Sequence, residues 1–164
     1  MANLAANKRP KVVVVGVGNI LLKDEGIGVH VAYALQKLPS PEDVDLEIID
    51  GGTSPDVFLT LKGMDKLIVI DAARIGDEPG TIYHFQVDNL AYTPEGITSA
   101  HQISFLQTLK VMDCLGLNPR DITILGVEPK EIDWGLEPSE QLQHKIPQII
   151  ELILEEVNKC RPET

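Results

Sequence analysis

The sequence has few cysteines and no long apolar segment. Its two cysteines, Cys114 and Cys160, lie far apart and form no CxxC motif, which argues against a disulfide framework or a zinc knuckle and fits a reducing cytoplasm. No run approaches the ~20 apolar residues needed to cross a membrane, and the N-terminal MANLAANKRP lacks the apolar region of a secretory signal. We therefore expect a cytoplasmic protein without a membrane partner.

Basic residues are also scarce. Lysine and arginine together number 14, against 25 aspartates and glutamates, which gives a net charge of −11. This balance argues against nucleic acid as a partner and weakly favours a basic or neutral one. The apolar content of 43% is ordinary for a soluble protein, and 164 residues suffice for one domain with a single covered core.

Two common site motifs are missing. Gly16 and Gly18 follow a strand-like run, as in a dinucleotide-binding loop, but Leu21 stands at the third glycine position. The acids at positions 24 and 25 would repel a pyrophosphate at the helix start, so nucleotide binding is the least favoured function and no nucleotide cofactor is expected. No GxSxG motif is present, which argues against a hydrolase of the nucleophile-elbow type.

Strand and helix patterns alternate along the chain. This alternation predicts an α/β fold: a single three-layer domain with a twisted, largely parallel sheet of about five strands and helices on both faces. The domain is expected to cover residues 11–159, after a flexible segment 1–10 and before a tail 160–164. The predicted strands are Lys11–Val17, Val44–Asp50, Lys66–Asp71, Gly80–Val87 (antiparallel) and Asp121–Val127. The predicted helices are Gly26–Leu38, Ser54–Lys62, Ser99 to about Leu115, and Ser139–Lys159.

The segment Val12–Gly28, VVVVGVGNILLKDEGIG, is the most informative. Its four valines predict a parallel strand that is covered on both faces. The glycines allow a tight turn that delivers Asp24 and Glu25 to the carboxyl edge of the sheet, where open α/β folds hold their ligands. The same two acids would equally suit a purely structural role at a helix start.

Three acids fall at equivalent places in the predicted sheet. Glu25 follows the first strand, Asp50 ends the second and Asp71 ends the third, so parallel pairing brings them to a common edge. His101 lies in the first turn of a predicted helix that follows a long loop. Glu25, Asp71 and His101 together supply two carboxylates and an imidazole, which suit a borderline divalent metal.

The other histidines do not fit this pattern. His30 and His144 are expected on the polar faces of their helices, and His84 within a strand. None of the three is predicted to lie near an acid at the carboxyl edge, so His101 is the only histidine that we place in the candidate site.

Six motifs follow one another along the chain: GVGNILLKDEGIG (Gly16–Gly28), DGGT (Asp50–Thr53), LIVIDA (Leu67–Ala72), PGT (Pro79–Thr81), SAHQ (Ser99–Gln102) and GVEP (Gly126–Pro129). With these motifs the chain resembles the hydrogenase maturation endopeptidases, which trim the C-terminal extension of [NiFe] hydrogenase large subunits. The resemblance runs from about Lys11 to Lys159.

The resemblance implies a role for several residues. Glu25, Asp71 and His101 match the metal-contacting positions of the family, with Asp24 beside the first. The turn formed by Asp50, Gly51 and Gly52 matches the turn associated with substrate recognition. The family is classed with aspartic-type endopeptidases, so Asp24 and Glu25 are the expected catalytic residues.

The resemblance also implies how the metal is used. Nickel already inserted in the large-subunit precursor would be the ion on which the site docks, so the free protease, expected to be a monomer, needs no resident metal. Hydrolysis could then use metal-bound hydroxide, or a carboxylate as general base on a water. The residues leave two alternatives open: a nickel-sensing chaperone that does not cut and, less favoured, a nucleotide-binding α/β domain.

Overall fold

A computed structural model describes residues 8–86 and 121–162 of the chain, together with the isolated positions 113, 116 and 119. Its sheet has five strands in the order β2-β1-β3-β5-β4. Neighbouring strands run parallel, except that β4 is antiparallel to β5. The strands are β1 (Lys11–Val17), β2 (Asp45–Gly52), β3 (Lys66–Ala72), β4 (Ile82–Gln86) and β5 (Asp121–Val127). The predicted fold class and the antiparallel fourth strand are thus confirmed.

Helices occupy both faces of the sheet. They are the 3-10 helix Lys23–Gly26, α1 (Ile27–Gln36), the 3-10 helix Pro55–Thr60, α2 (Glu140–Gln143) and α3 (Ile146–Asn158). On one face, α1 and α3 pack in a cluster that includes Val12 and Val14 of β1. On the other, Phe58 of the second 3-10 helix packs in a cluster that includes Val13 and Val15. The four consecutive valines Val12–Val15 of β1 are each at most 1% exposed, as expected for a strand covered on both sides.

Two predicted helices differ in the structure. The helix predicted over Ser139–Lys159 is broken by a turn at 144–145 into α2 and α3. Pro147 lies in the first turn of α3; proline has no N–H to donate to a preceding turn, so it favours a new helix start over a continuous helix. The predicted helix over Ser54–Lys62 is a shorter 3-10 helix. The helix predicted from Ser99 lies outside the described residues.

A buried ion-pair network ties α3 to the amino edge of the sheet. Lys66, at the start of β3, lies 2.6 Å from Glu156 and 2.7 Å from Asp121. Glu156 also contacts Lys159 at 2.6 Å and His84 Nε2 at 3.2 Å. Lys66 and Glu156 are 1% and 2% exposed. Burial would raise the pKa of Glu156, but the hydrogen bonds and charges of Lys159 and Lys66 outweigh it and lower that pKa to about 2.

This network predicts an acid-sensitive contribution to stability. Because the pKa of Glu156 falls from 4.5 to about 2 on folding, its stabilisation is complete above pH 4.5 and is lost as the pH falls towards 2. The free-energy difference of unfolding between wild type and Glu156→Gln should shrink by about 3 kcal/mol across that window. Urea denaturation at stepped pH measures it, with exposed Glu155→Gln as the control. If the free energy of unfolding depended on pH equally in wild type and Glu156→Gln, the lowered pKa of Glu156 would be contradicted.

Candidate active site

Glu25 and Asp71 come together at the carboxyl edge of the sheet. Asp71 is the penultimate residue of β3, and Glu25 lies in the 3-10 helix between β1 and α1. Asp71 is 8% exposed. Burial, as the main cause, and the charge of Glu25 raise the pKa of Asp71 well above its usual range, although the N–H of Ala72 acts in the opposite direction. The two carboxylates therefore lie within range of each other's charge.

Glycines make this juxtaposition possible. A Cβ atom on Gly16 would lie 2.1 Å from the carbonyl oxygen of Gly28, and one on Gly28 would lie 2.2 Å from that of Ile70. The first turn of α1 consequently sits directly on β1 and β3, which holds the preceding 3-10 helix against the end of β3. At Gly18, where φ is +141°, a Cβ atom would lie 2.0 Å from the carbonyl oxygen of Glu25. Backbone atoms come too close to these three glycines for any side chain, so the glycines serve packing.

Asp24 is fully buried, and its carboxylate is hydrogen-bonded to the segment 130–139. Its Oδ2 accepts hydrogen bonds from the backbone N–H of Lys130 and of Glu131, each at 2.8 Å. Ser139 donates its N–H to Oδ1 at 2.6 Å and its hydroxyl to Oδ2 at 2.8 Å. Both carboxylate oxygens are therefore occupied. This arrangement favours the structural interpretation of Asp24, as the anchor of the chain over 130–139.

The turn at the end of β2 lies at the same carboxyl edge, on the other side of β1 from Asp71. Asp50 is exposed and its Oδ1 accepts a hydrogen bond from Gly52 N–H at 2.9 Å, while the hydroxyl of Tyr33 donates to Oδ2. Gly52 adopts a φ of +53° and accepts a hydrogen bond from Gly18 N–H at 2.8 Å. Asp50 and Ile70 pair with Gly16 from opposite sides, so Asp50 lies roughly 10 Å from the end of β3.

Glu128 is a site-supporting residue whose role the sequence analysis missed. It is 4% exposed and accepts hydrogen bonds from Ile75 N–H at 2.8 Å, Gly76 N–H at 3.2 Å and the Tyr83 hydroxyl at 2.7 Å. Burial would raise the pKa of Glu128, but these hydrogen bonds lower it. Glu128 thereby fixes the chain that leaves β3 just after Asp71. The sequence feature that could have indicated this role is the glutamate of GVEP, which directly follows β5.

Comparison with known proteins decides the family. The family model described as hydrogenase maturation protease matches residues 29–156. This chain belongs to the hydrogenase maturation protease family. The hydrogenase expression/formation protein HupD of Rhizobium leguminosarum bv. viciae is 36% identical over 146 residues, covering 87% of this chain and 71% of HupD. The hydrogenase 2 maturation protease of Escherichia coli is 35% identical over 150 residues, covering 90% of this chain and 88% of that protein.

A solved structure agrees with the family assignment. The hydrogenase maturating endopeptidase HybD of E. coli superimposes on this maturation protease with a TM-score of 0.80 and 29% identity, covering 91% of this chain and 93% of HybD. The resemblance inferred from the motifs is confirmed. Within the described ranges of the protease, no helix is long and apolar enough to cross a membrane.

The structure describes only part of the predicted metal-ligand set. His101 lies outside the described residues, and within those residues no three histidine, cysteine or acidic side chains group to hold a metal. Glu25 and Asp71 are the two predicted ligands that the structure brings together. Both are oxygen donors that favour a divalent cation.

The remaining histidines have other surroundings in the structure. His144 is exposed in the turn between α2 and α3, and His84 contacts Glu156 at the opposite edge of the sheet. His30 differs from the expectation of a purely polar setting: it is half-buried, burial lowers its pKa, and its ring meets that of Tyr33 edge-on.

Proposed function

We propose that this protease removes the C-terminal extension of a [NiFe] hydrogenase large-subunit precursor after nickel has been inserted. The observation that carries the proposal is the position of the buried Asp71 at the carboxyl end of β3, next to the 3-10 helix of Glu25. Asp71 is buried and its ionised form is disfavoured beside a second acid, so a divalent cation that arrives there relieves the repulsion. Family membership supports the substrate class.

In this proposal the nickel belongs to the substrate. Glu25, Asp71 and His101 contact the nickel of the precursor and so bring the scissile bond to the edge of the sheet. Two carboxylates and one imidazole leave further coordination positions for the precursor's own ligands. The turn of Asp50, Gly51 and Gly52 lines the same edge and is proposed to recognise the substrate chain.

Glu25 is the proposed general base, as in an aspartic-type endopeptidase. It accepts a proton from the water that attacks the scissile carbonyl carbon, and that proton is returned to the departing amine as the peptide bond breaks. Asp24 was an equal candidate by sequence, but its oxygens are already occupied by hydrogen bonds. We also propose that the free protease is a cytoplasmic monomer, with neither nucleic acid nor a membrane as partner.

Incubation with precursor tests the proposal. Nickel-loaded precursor should lose its C-terminal extension, whereas nickel-free precursor should stay intact, as followed by mass spectrometry. Protease that has been treated with a chelator, then freed of it, should be as active as untreated protease, because the ion arrives with the substrate. Tight binding of nickel-loaded precursor without any cleavage would identify a non-cutting nickel-sensing chaperone instead. Undiminished cleavage of nickel-free precursor would exclude nickel-dependent docking.

A further inference from the structure

Four large apolar side chains are exposed beside the turn that carries Glu25. Trp134 is 76% exposed, Leu136 65%, Leu21 47% and Ile132 40%. We call these four residues the Trp134 surface. Soluble proteins rarely leave such side chains grouped in water unless a partner covers them, and exposed tryptophan is among the side chains most enriched at the centre of protein interfaces.

Backbone hydrogen bonds hold the two parts of the Trp134 surface side by side. Gly135 N–H donates to the carbonyl of Leu21 at 2.9 Å, and Lys23 N–H donates to the carbonyl of Gly135 at 3.0 Å. Asp24 N–H donates to the carbonyl of Glu131 at 3.1 Å, in addition to the hydrogen bonds that its carboxylate accepts from the same segment. The surface is thus fixed before a partner arrives, which lowers the entropic cost of binding.

Around the Trp134 surface, three exposed acids outnumber the two lysines Lys23 and Lys130 of the same segments. Glu131, Asp133 and Glu137 alternate with its apolar residues and are all exposed. Lys23 already pairs with Glu131 at 2.7 Å, and the whole chain has a net charge of −11. An apolar partner surface bordered by lysine or arginine complements this pattern, whereas a second copy of this acidic chain would be repelled.

We infer that the Trp134 surface is the docking site for the folded body of the protein substrate, which presents an apolar patch with a basic border. The inference rests on the proposed function and adds to it a recognition surface next to the turn of Glu25. The same backbone that carries Trp134 fixes the 3-10 helix of Glu25, so a substrate seated there is held at a set distance from the catalytic edge.

Kinetics with nickel-loaded precursor tests the inference. Trp134→Ala should raise KM for precursor about tenfold or more and leave kcat within twofold, because an exposed docking contact contributes equally to substrate and transition-state binding. Leu38→Ala is the matched control. Leu38 is 44% exposed but follows the C-terminal end of α1, away from the carboxyl edge of the sheet. The KM of Leu38→Ala for precursor should equal that of wild type. Asp133→Lys should also raise the KM for precursor. A lowered KM would contradict the inference that the substrate patch has a basic border.

A second measurement does not depend on cleavage. Trp134 is the single tryptophan of the chain, so protease labelled with 5-fluorotryptophan gives one fluorine NMR resonance. That resonance should shift when excess uncleaved precursor is added at low temperature. A shift without cleavage by wild type would support the surface while the proposed function fails.

The opposite results are equally informative. Cleavage with an unchanged KM for Trp134→Ala and an unshifted resonance would overturn the surface and leave the proposed function standing. A resonance that shifts with protease concentration alone, with no precursor present, would make a second copy the occupant and overturn the inference. Unchanged melting temperatures of Trp134→Ala and Leu38→Ala verify that both variants are folded.

Discussion

Replacing Asp71 with asparagine is expected to abolish precursor processing while leaving the free protein at least as stable as wild type. The ionised carboxylate is buried beside Glu25, and its raised pKa means that folding disfavours the charged form. A neutral side chain of the same size removes that cost at neutral pH but also removes a proposed nickel contact.

Glu25→Gln should lower the processing rate by about 10²–10⁴-fold, the range for loss of a general base.

The same experiment extends to His101, which the family resemblance places in the ligand set. His101→Ala should abolish processing as completely as Asp71→Asn. Asp45→Asn is the matched control, since Asp45 is an exposed acid at the amino end of β2, and it should process normally. Precursor cleavage is followed by mass spectrometry and folding by circular dichroism and urea denaturation. Unfolding of Asp71→Asn, or normal processing by it, would contradict the assignment.

Replacing Asp24 with alanine is expected to produce the largest loss of stability. The substitution leaves the N–H groups of Lys130, Glu131 and Ser139 without their acceptor. A buried polar group without a partner costs about 1–3 kcal/mol. Because these three hydrogen bonds are only part-buried, the lower part of that range applies and the total loss should be about 3–5 kcal/mol. That corresponds to a melting temperature lower by about 10–15 °C for a domain of this size.

Graded variants separate this structural role from a catalytic one. Ser139→Ala removes only the hydroxyl contact with Asp24 and should cost about 1 kcal/mol. Hydrogen exchange should show the Lys130 and Glu131 amides losing protection in Asp24→Ala. If Asp24→Ala were as stable as wild type but inactive, Asp24 would be a catalytic acid and the structural assignment would be wrong.

The strands were predictable because their signal is local. Lys11–Val17 and Asp121–Val127 were predicted with the bounds that the structure gives, since unbroken β-branched and aliphatic runs reflect burial on both faces. The placement of Asp71 at the carboxyl edge also followed from strand direction alone. The break between α2 and α3 was harder to predict, because the apolar periodicity continues through residues 144–145 and only Pro147 indicates a new start.

The functions of the two adjacent acids could not be separated by sequence. Asp24 and Glu25 have the same charge and the same predicted turn. Asp24 differs in accepting hydrogen bonds from the segment 130–139. That segment reaches Asp24 only when the chain has folded. The role of Glu128 was equally inaccessible, since its partners, the N–H groups of Ile75 and Gly76, lie more than 50 positions earlier in the chain.

The bond between Asp24 and Ser139 also bears on biosynthesis. It spans 115 positions of the chain, so a nascent polypeptide cannot fix the turn of Glu25 in this way until Ser139 has left the ribosome. At about 5–20 residues per second, translation of that interval takes roughly 6–23 s. Throughout that delay the turn of Glu25 is not yet held in place, so the proposed catalytic edge forms only after Ser139 has emerged.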